Sequence, residues 1–415
     1  MFRSLATLAV AFGSLTIACS AHSQNRLDAR QWLPPGSKIE TTLAERPARY
    51  IRQEMAGGRM GYTARLGELV FRSPITLGRD AARQGLSCDA CHPNGGTNTR
   101  FFVPGSSDKP GNVDVSHPTF FYRENDGINN PVNIPSVRGI RTLGPYGRDG
   151  RFGTLAAFSR NVIMREFGGP DPENWILDAL VAYQMSLAEP PNRFLTPDGR
   201  LTKAAPEAAR KGEILFRRDC VQCHDPRSGF ADPRRYDVGT GGRFEAPSLL
   251  ATVETAPYFN DGRADTLADA IDLMASGLGL EYSVAERASL LAYLETIGAM
   301  DQRFSPETLP GDLARLSGFL ELLRQPLLDE DMHRADVTAD MLRMEIGRVF
   351  FRYQNDAGAA RTAIRGWAGQ LSDITRLNRA GEFPAARKAL TALQDTIMDD
   401  RETLQRDIAA SLYPQ

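Results

Sequence analysis

Two short strings constrain this chain more than anything else in it: Cys88-Asp89-Ala90-Cys91-His92 and Cys220-Val221-Gln222-Cys223-His224. Thiols at this spacing add across the two vinyl groups along one edge of a haem. The next residue then carries its imidazole beneath the iron as the proximal ligand. A redox dithiol, a disulfide and a zinc site are the rival uses of such residues. The chain has five cysteines, of which Cys19 lies near the N-terminus and the other four are all consumed by the two strings. Disulfides are the first thought for an exported chain, but a histidine directly after each pair argues otherwise. Two such strings could together supply one tetrahedral zinc site. The sequence around them decides against zinc and leads to an expectation of two covalent haem c groups.

The strings sit in two copies of one unit. Gly67-Glu68-Leu69-Val70-Phe71-Arg72 precedes the first and Gly212-Glu213-Ile214-Leu215-Phe216-Arg217 the second, both with apolar residues at helical spacing. Pro135-Ser136-Val137 and Pro247-Ser248-Leu249 follow. Pro145-Tyr146-Gly147-Arg148-Asp149-Gly150-Arg151 then matches Pro257-Tyr258-Phe259-Asn260-Asp261-Gly262-Arg263, and Thr154-Leu155 matches Thr266-Leu267. Each unit closes on another helical pattern, Leu180-Val181-Ala182-Tyr183 and Leu290-Leu291-Ala292-Tyr293. A unit therefore runs helix, haem string, long loop, turn, helix, helix. Small units of this kind complete their core by packing round a cofactor. Strand signals are few, so the predicted fold class is mainly α: two tandem cytochrome c-like haem domains plus a C-terminal helical bundle.

A length of 415 residues calls for two or three domains. The expected boundaries are a signal peptide over 1–23, an N-terminal haem domain over 24–195, a second over 196–300 and a helical extension over 301–415. Arg3, the apolar stretch Leu5 to Ala18 and the small residues Ala21-His22-Ser23 read as an export signal, and so as periplasmic localisation. Thr16-Ile17-Ala18-Cys19 resembles a lipoprotein box but has Thr where Leu is usual; anchoring at Cys19 is the secondary reading. No later segment suits a membrane span. With 49 basic and 51 acidic residues, nothing points to nucleic acid.

Over roughly residues 60 to 300 the sequence resembles the bacterial dihaem cytochrome c peroxidases and their MauG-like relatives. The resemblance rests on the paired C-x-x-C-H strings and on Ala246-Pro247-Ser248-Leu249 followed by Thr255-Ala256-Pro257-Tyr258-Phe259-Asn260-Asp261-Gly262-Arg263. It implies that the second haem is a six-coordinate electron-transfer centre with Met274 as sixth ligand, a thioether that favours ferrous iron. It implies that the first haem is the peroxide site. His117 then resembles the loop histidine of the resting enzymes, and Glu166 stands near the place of a distal acid that moves a proton between peroxide oxygens. Met164 lies two residues beyond Val162, the counterpart of Met274. A calcium ion between the domains is implied as well, on the side chain of Asn133 and the carbonyls of Thr255 and Pro257. Asp149/Arg151 and Asp261/Arg263 recur in both units; they suit pairing with each other or with haem propionates, and equally a purely structural role in the turn. Two positions depart from the pattern: Arg148 stands where the family has a Trp between the haems, and Phe158 where it has a distal Gln. Both losses weigh against peroxidase turnover and leave electron transfer intact.

Residues 301–415 lie outside the resemblance. Helical periodicity covers Leu313 to Leu323, Ala339 to Tyr353, Ala359 to Leu377 and Ala385 to Ile408, with Gly381 and Pro384 as punctuation. His333 is their one histidine and reads as a surface residue. The bundle has no catalytic constellation and suits docking, on the haem domains, on another copy or on a protein partner. Three functions follow. The first is peroxide reduction with electrons from a small periplasmic donor, a cytochrome c or cupredoxin. The second is MauG-like oxidation of a partner protein, and the third is electron transfer without a substrate site.

Overall fold

A computed structural model of the chain describes residues 61–189, 191–301 and 307–413. The predicted export signal, Cys19 and Trp32 lie outside the described residues. The chain is mainly helical. In order, α1 is Tyr62–Arg72, α2 Arg79–Gln84, α3 Cys88–Cys91, α4 Pro118–Phe121, α5 Leu155–Asn161, α6 Asn174–Ser186, α7 Glu207–Asp219, α8 Leu267–Leu278 and α9 Val284–Ile297. Then come α10 Leu309–Leu328, α11 Met332–Arg352, α12 Gly358–Arg379, α13 Phe383–Asp399 and α14 Arg401–Arg406. Among the described residues, strand is confined to two antiparallel pairs: β1 Asn112–Val113 with β2 Val132–Asn133, and β3 Asp232–Tyr236 with β4 Phe244–Ala246.

The sequence repeat becomes a packing repeat. In the first unit α1 crosses α6, and in the second α7 crosses α9. Each crossing is closed by a glycine that the repeat supplies. A Cβ on Gly67 would stand 1.8 Å from the Ala179 carbonyl oxygen, and one on Gly212 would stand 2.0 Å from that of Ser289. The backbones approach so closely that only hydrogen fits. Beside each glycine a Phe meets a Tyr: Phe71 and Tyr183 at 5.2 Å between ring centres, Phe216 and Tyr293 at 4.8 Å. Both contacts lie within the favourable range for aromatic pairs.

The helices beyond residue 307 pack in sequence, α10 on α11, α11 on α12 and α12 on α13, with α13 returning to α10. The apolar face of each supplies this core: Leu316, Phe319, Leu320, Leu342, Ile346, Trp367, Leu371, Leu390 and Leu393 are all buried. The last predicted helix, Ala385 to Ile408, is divided at Asp400 into α13 and α14. The Asp400 carboxylate accepts from the Trp367 indole at 2.7 Å, which fixes the break. These helices share one continuous apolar core with the first unit, whereas the second unit has a smaller core of its own, around Leu215, Phe216, Phe230, Ile271, Leu290 and Tyr293. Leu195 and Leu201, from the segment between α6 and α7, pack on that second core.

Charge runs through the contact between the first unit and the C-terminal helices. Asp89, the first residue inside the first haem string, is 1% exposed. It meets Arg72 of α1 at 3.4 Å and Arg348 of α11 at 3.3 Å. Glu345 of α11 meets Arg72 at 3.1 Å and Arg348 at 3.0 Å. Arg348 also donates to Ser87 Oγ at 3.0 Å and to the Arg72 carbonyl at 2.6 Å. A second group joins Arg315 to Asp312 at 2.9 Å and to Glu68 at 3.7 Å, with Arg352 on Asp312 at 3.2 Å and on Glu307. Buried ions persist only when paired in this way. His333, read from sequence as a surface residue, is exposed and spans the same contact: its Nε2 lies 2.6 Å from Glu173 of the first unit.

Candidate functional site

The first thiol pair is set on α3, so Cys88 and Cys91 lie about one helical turn apart on one side. All four described cysteines are free thiols, and burial pushes Cys88 and Cys220 up to about 12. No disulfide joins them. Among the described residues no group of three or more His, Cys, Asp or Glu converges as metal ligands.

His92 ends α3, its N–H donating to the Cys88 carbonyl at 2.8 Å, and His224 repeats this with Cys220 at 2.9 Å. Each imidazole is then held from behind. His92 Nδ1 lies 2.8 Å from the Pro135 carbonyl and His224 Nδ1 lies 2.7 Å from that of Phe230. The Pro247 carbonyl, counterpart of Pro135, acts on His224 as well. A carbonyl acceptor keeps the proton on Nδ1 and leaves Nε2 as the free ligand nitrogen. Burial lowers His92 to about 4 and lowers His224 too, so both are neutral, the form that binds iron. Two free thiols with an oriented, neutral imidazole fit a covalent haem in each unit. The Pro-Ser string was visible in the sequence as a repeat; its use, a carbonyl aimed at the imidazole, was not.

Around the first string, α5 runs into one π-helical turn, Val162–Glu166, whereas its counterpart α8 stays regular through Met274. Such turns often mark functional positions. Glu166 and Met164 are half-buried there. Burial raises the Glu166 carboxyl, with Arg151 and Arg148 acting against it, and its charge in turn raises Cys91. Glu166 therefore belongs electrostatically to the first attachment site. Phe158 stacks on Phe152 at 5.7 Å, an apolar wall where the resemblance calls for an amide. His117 caps α4, its Nδ1 2.9 Å from Thr119 Oγ1 and accepting from the Thr119 N–H. Met274 is half-buried on α8. Asp149 and Arg151 pair within their own turn at 2.9 Å, and Asp261 and Arg263 at 2.6 Å.

The units meet through matching positions of the repeat. The Asn133 N–H donates to the Asn260 carbonyl at 2.9 Å, and the Glu245 N–H donates to the Arg148 carbonyl at 3.2 Å. Asn133 and Glu245 are counterparts, as are Arg148 and Asn260, so the pair of bonds is reciprocal. Asn133, Thr255 and Pro257, the residues of the implied calcium site, stand at this junction. The Asn133 side-chain amide donates to the Pro257 carbonyl. Thr255 turns its hydroxyl to the Thr252 carbonyl at 3.2 Å. The Arg148 guanidinium donates to the Asn260 carbonyl at 2.8 Å and to the Asn133 carbonyl. Burial lowers Arg148 to about 10, opposed by Glu166 and Asp261, and it is a cation at neutral pH. A second cation on Asn133, Thr255 and Pro257 would sit beside this charge, which Glu166 and Asp261 already balance. The residues present do not fit calcium.

Comparison with known proteins agrees with the chemistry. Residues 216–306 match the family described as Di-haem cytochrome c peroxidase. The hydrazine synthase subunit gamma of Kuenenia stuttgartiensis aligns over 202 residues at 27% identity, covering 34% of this chain and 55% of that subunit. The chain thus spans about half the length of this curated relative. Among solved structures, hydrazine synthase of Kuenenia stuttgartiensis under xenon superposes at 18% identity, with a TM-score of 0.42, over 71% of this chain and 100% of that one. A MauG-like protein associated with microbial copper homeostasis superposes at 20% identity, with a TM-score of 0.43, over 61% of this chain and 93% of that one. The family match falls on the unit that carries Cys220, Cys223 and His224, and the first unit repeats its C-x-x-C-H attachment chemistry, so in both units the chain is similar to the dihaem cytochrome c peroxidases and their MauG-like relatives.

Proposed function

We propose that this protein is a periplasmic dihaem oxidoreductase that reduces hydrogen peroxide at the first haem with electrons received through the second. In this reading residues 24–195 and 196–300 form tandem cytochrome c-like domains, and residues 301–415 are a helical extension docked on the first. The observation that carries it is Glu166: a half-buried carboxyl on a π-turn beside Cys91, raised by burial and steadied by Arg148 and Arg151. Haem, when bound, supplies the iron and the redox equivalents. The chain's own residues do the rest. His92 and His224 present Nε2 to the metal while Pro135 and Phe230 hold their Nδ1 protons. Glu166 takes a proton from one peroxide oxygen and returns it to the other, for which a carboxyl poised toward neutrality is suited. Met274 is assigned as sixth ligand of the second haem, with a small cytochrome c or cupredoxin as donor. His117, fixed at Nδ1 by Thr119, keeps Nε2 for the distal side.

Phe158 favours a second reading, an electron carrier without a substrate site, since it puts an apolar ring where an amide is expected. Electron paramagnetic resonance of the haem-loaded protein, oxidised and then half-reduced, separates the two. A high-spin signal from one haem that hydrogen peroxide removes supports the peroxidase. Two low-spin haems in every state, inert to peroxide, leave the carrier. Oxidation of a protein partner instead of a small donor is the MauG-like outcome.

A further inference from the structure

At the junction of the two units the repeat is symmetric in its backbone and asymmetric in one side chain. Asn133 and Glu245 donate across it to the carbonyls of Asn260 and Arg148. The counterpart positions themselves differ, Arg148 on one side and Asn260 on the other. The Arg148 guanidinium crosses from the first unit and takes the Asn260 carbonyl at 2.8 Å and the Asn133 carbonyl with its other arm. Asn133 in turn gives its side-chain amide to the Pro257 carbonyl of the second unit, and Asn112 gives its own to the Asp261 carbonyl at 3.2 Å. The carbonyls gathered here need a cation or donors. Among these groups the positive charge comes from a side chain.

We propose that Arg148 is a built-in cationic clasp that takes the place of an interdomain divalent ion, so that the two haem units are held in register without calcium. A guanidinium suits this role because it is permanently charged, planar, and able to reach two carbonyls of different segments at once. Its charge is balanced by Glu166 on one side and Asp261 on the other. Its charge also acts on His92 and on Glu166. The proposal rests on the dihaem reading only for what the two units carry; a pyridine haemochrome count of fewer than two haems per chain counts against that reading and not against the clasp.

The test is made on the haem-loaded wild-type protein. It is treated with a calcium chelator, dialysed against millimolar calcium chloride, then freed of unbound metal and analysed for bound calcium by mass spectrometry. Melting temperature and the low-temperature resonance spectrum are recorded before and after each step. The expected result is less than a tenth of an equivalent of calcium, a melting temperature moved by no more than about 1 °C, and an unchanged spectrum. One equivalent of calcium that the chelator removes, with a change in spectrum or melting temperature, overturns the proposal. In a second arm, Arg148→Gln keeps an amide but loses the charge, and its melting temperature should fall by roughly 5 °C in chelator. A variant as stable as wild type, with an unaltered spectrum, overturns the clasp. If the variant does not fold, the wild-type calcium measurement decides alone.

Discussion

Replacing Arg72 by Met tests whether the C-terminal helices are bound to the first haem unit through charge. Arg72 is 3% exposed and lies between Asp89 at 3.4 Å and Glu345 at 3.1 Å. Removing one member of a buried ion group costs about 3–5 kcal/mol, because the partner is left charged and desolvated. Arg348 remains within 3.3 Å of Asp89 and 3.0 Å of Glu345, so one carboxylate and not two loses its cation. The expected loss is near the bottom of that range, about 3 kcal/mol, or roughly 3–4 °C in melting temperature for a chain of this size. Unfolding of the haem-loaded protein is followed by far-ultraviolet circular dichroism and by the haem absorbance. Because the first unit and α10 to α13 share a core, the haem of that unit should report the same lowered midpoint as the helices. Asp89→Asn should cost less, about 1–2 kcal/mol, since both arginines keep Glu345. The double variant should cost less than the sum of the two. An Arg72→Met protein within about 0.5 kcal/mol of wild type, or strict additivity in the double variant, would refute the view that this is a buried, coupled ion group.

Other outcomes follow from the same geometry. Gly67→Ala and Gly212→Ala should each destabilise by about 1–3 kcal/mol or more, because the added carbon lands within 1.8 Å and 2.0 Å of a carbonyl oxygen; a neutral effect in chemical denaturation contradicts the crossing. Glu166→Gln should lower peroxide turnover by about 10²–10⁴-fold with haem content and spectrum unchanged; full activity removes it as the proton carrier. The His333–Glu173 pair is exposed on both sides, 64% and 49%, and is worth about 0.5 kcal/mol at most. Glu173 raises His333 and His333 lowers Glu173. The stabilisation is therefore full between the ordinary values of 4.5 and 6.5. It fades as pH rises through the raised histidine value or falls through the depressed carboxylate value. His333→Ala should accordingly be slightly less stable than wild type at pH 6 and equal to it at pH 9, as read by thermal melts; a larger loss at pH 9 contradicts the pairing.

The attachment chemistry was legible because it is local: two thiols and an imidazole in five residues leave few geometries open. The duplication was legible for a related reason, since equal strings must pack equally, and Gly67/Gly212 with Phe71/Tyr183 and Phe216/Tyr293 do so. What the sequence hid is whatever depends on distant partners. Arg72, Asp89, Glu345 and Arg348 look like ordinary solvated helix residues one by one, and only folding brings them to one buried place. The π-turn at Val162–Glu166 leaves no mark in hydrophobic periodicity, since one extra residue per turn shifts the pattern within its own noise. The break before α14 was missed because Asp400 reads as a helix residue until the Trp367 indole is placed beside it. The implied calcium ligands were named by analogy of position, which could not show that a charged side chain, Arg148, stands at the same junction.

The reciprocal bonds at that junction are the pattern of a two-fold dimer written into one chain. In a dimer of identical subunits every substitution occurs twice, and a residue on the axis meets its own copy. An arginine at the position of Arg148 would there confront a second arginine, and the two charges would drive the halves apart. Joining the halves in a single polypeptide lifts that restriction: one copy can hold the arginine while the other, Asn260, offers it a carbonyl. Covalent fusion thus gives each side of the junction the freedom to specialise, the same freedom that lets one unit keep a regular helix through Met274 while the other wraps a π-turn around Glu166.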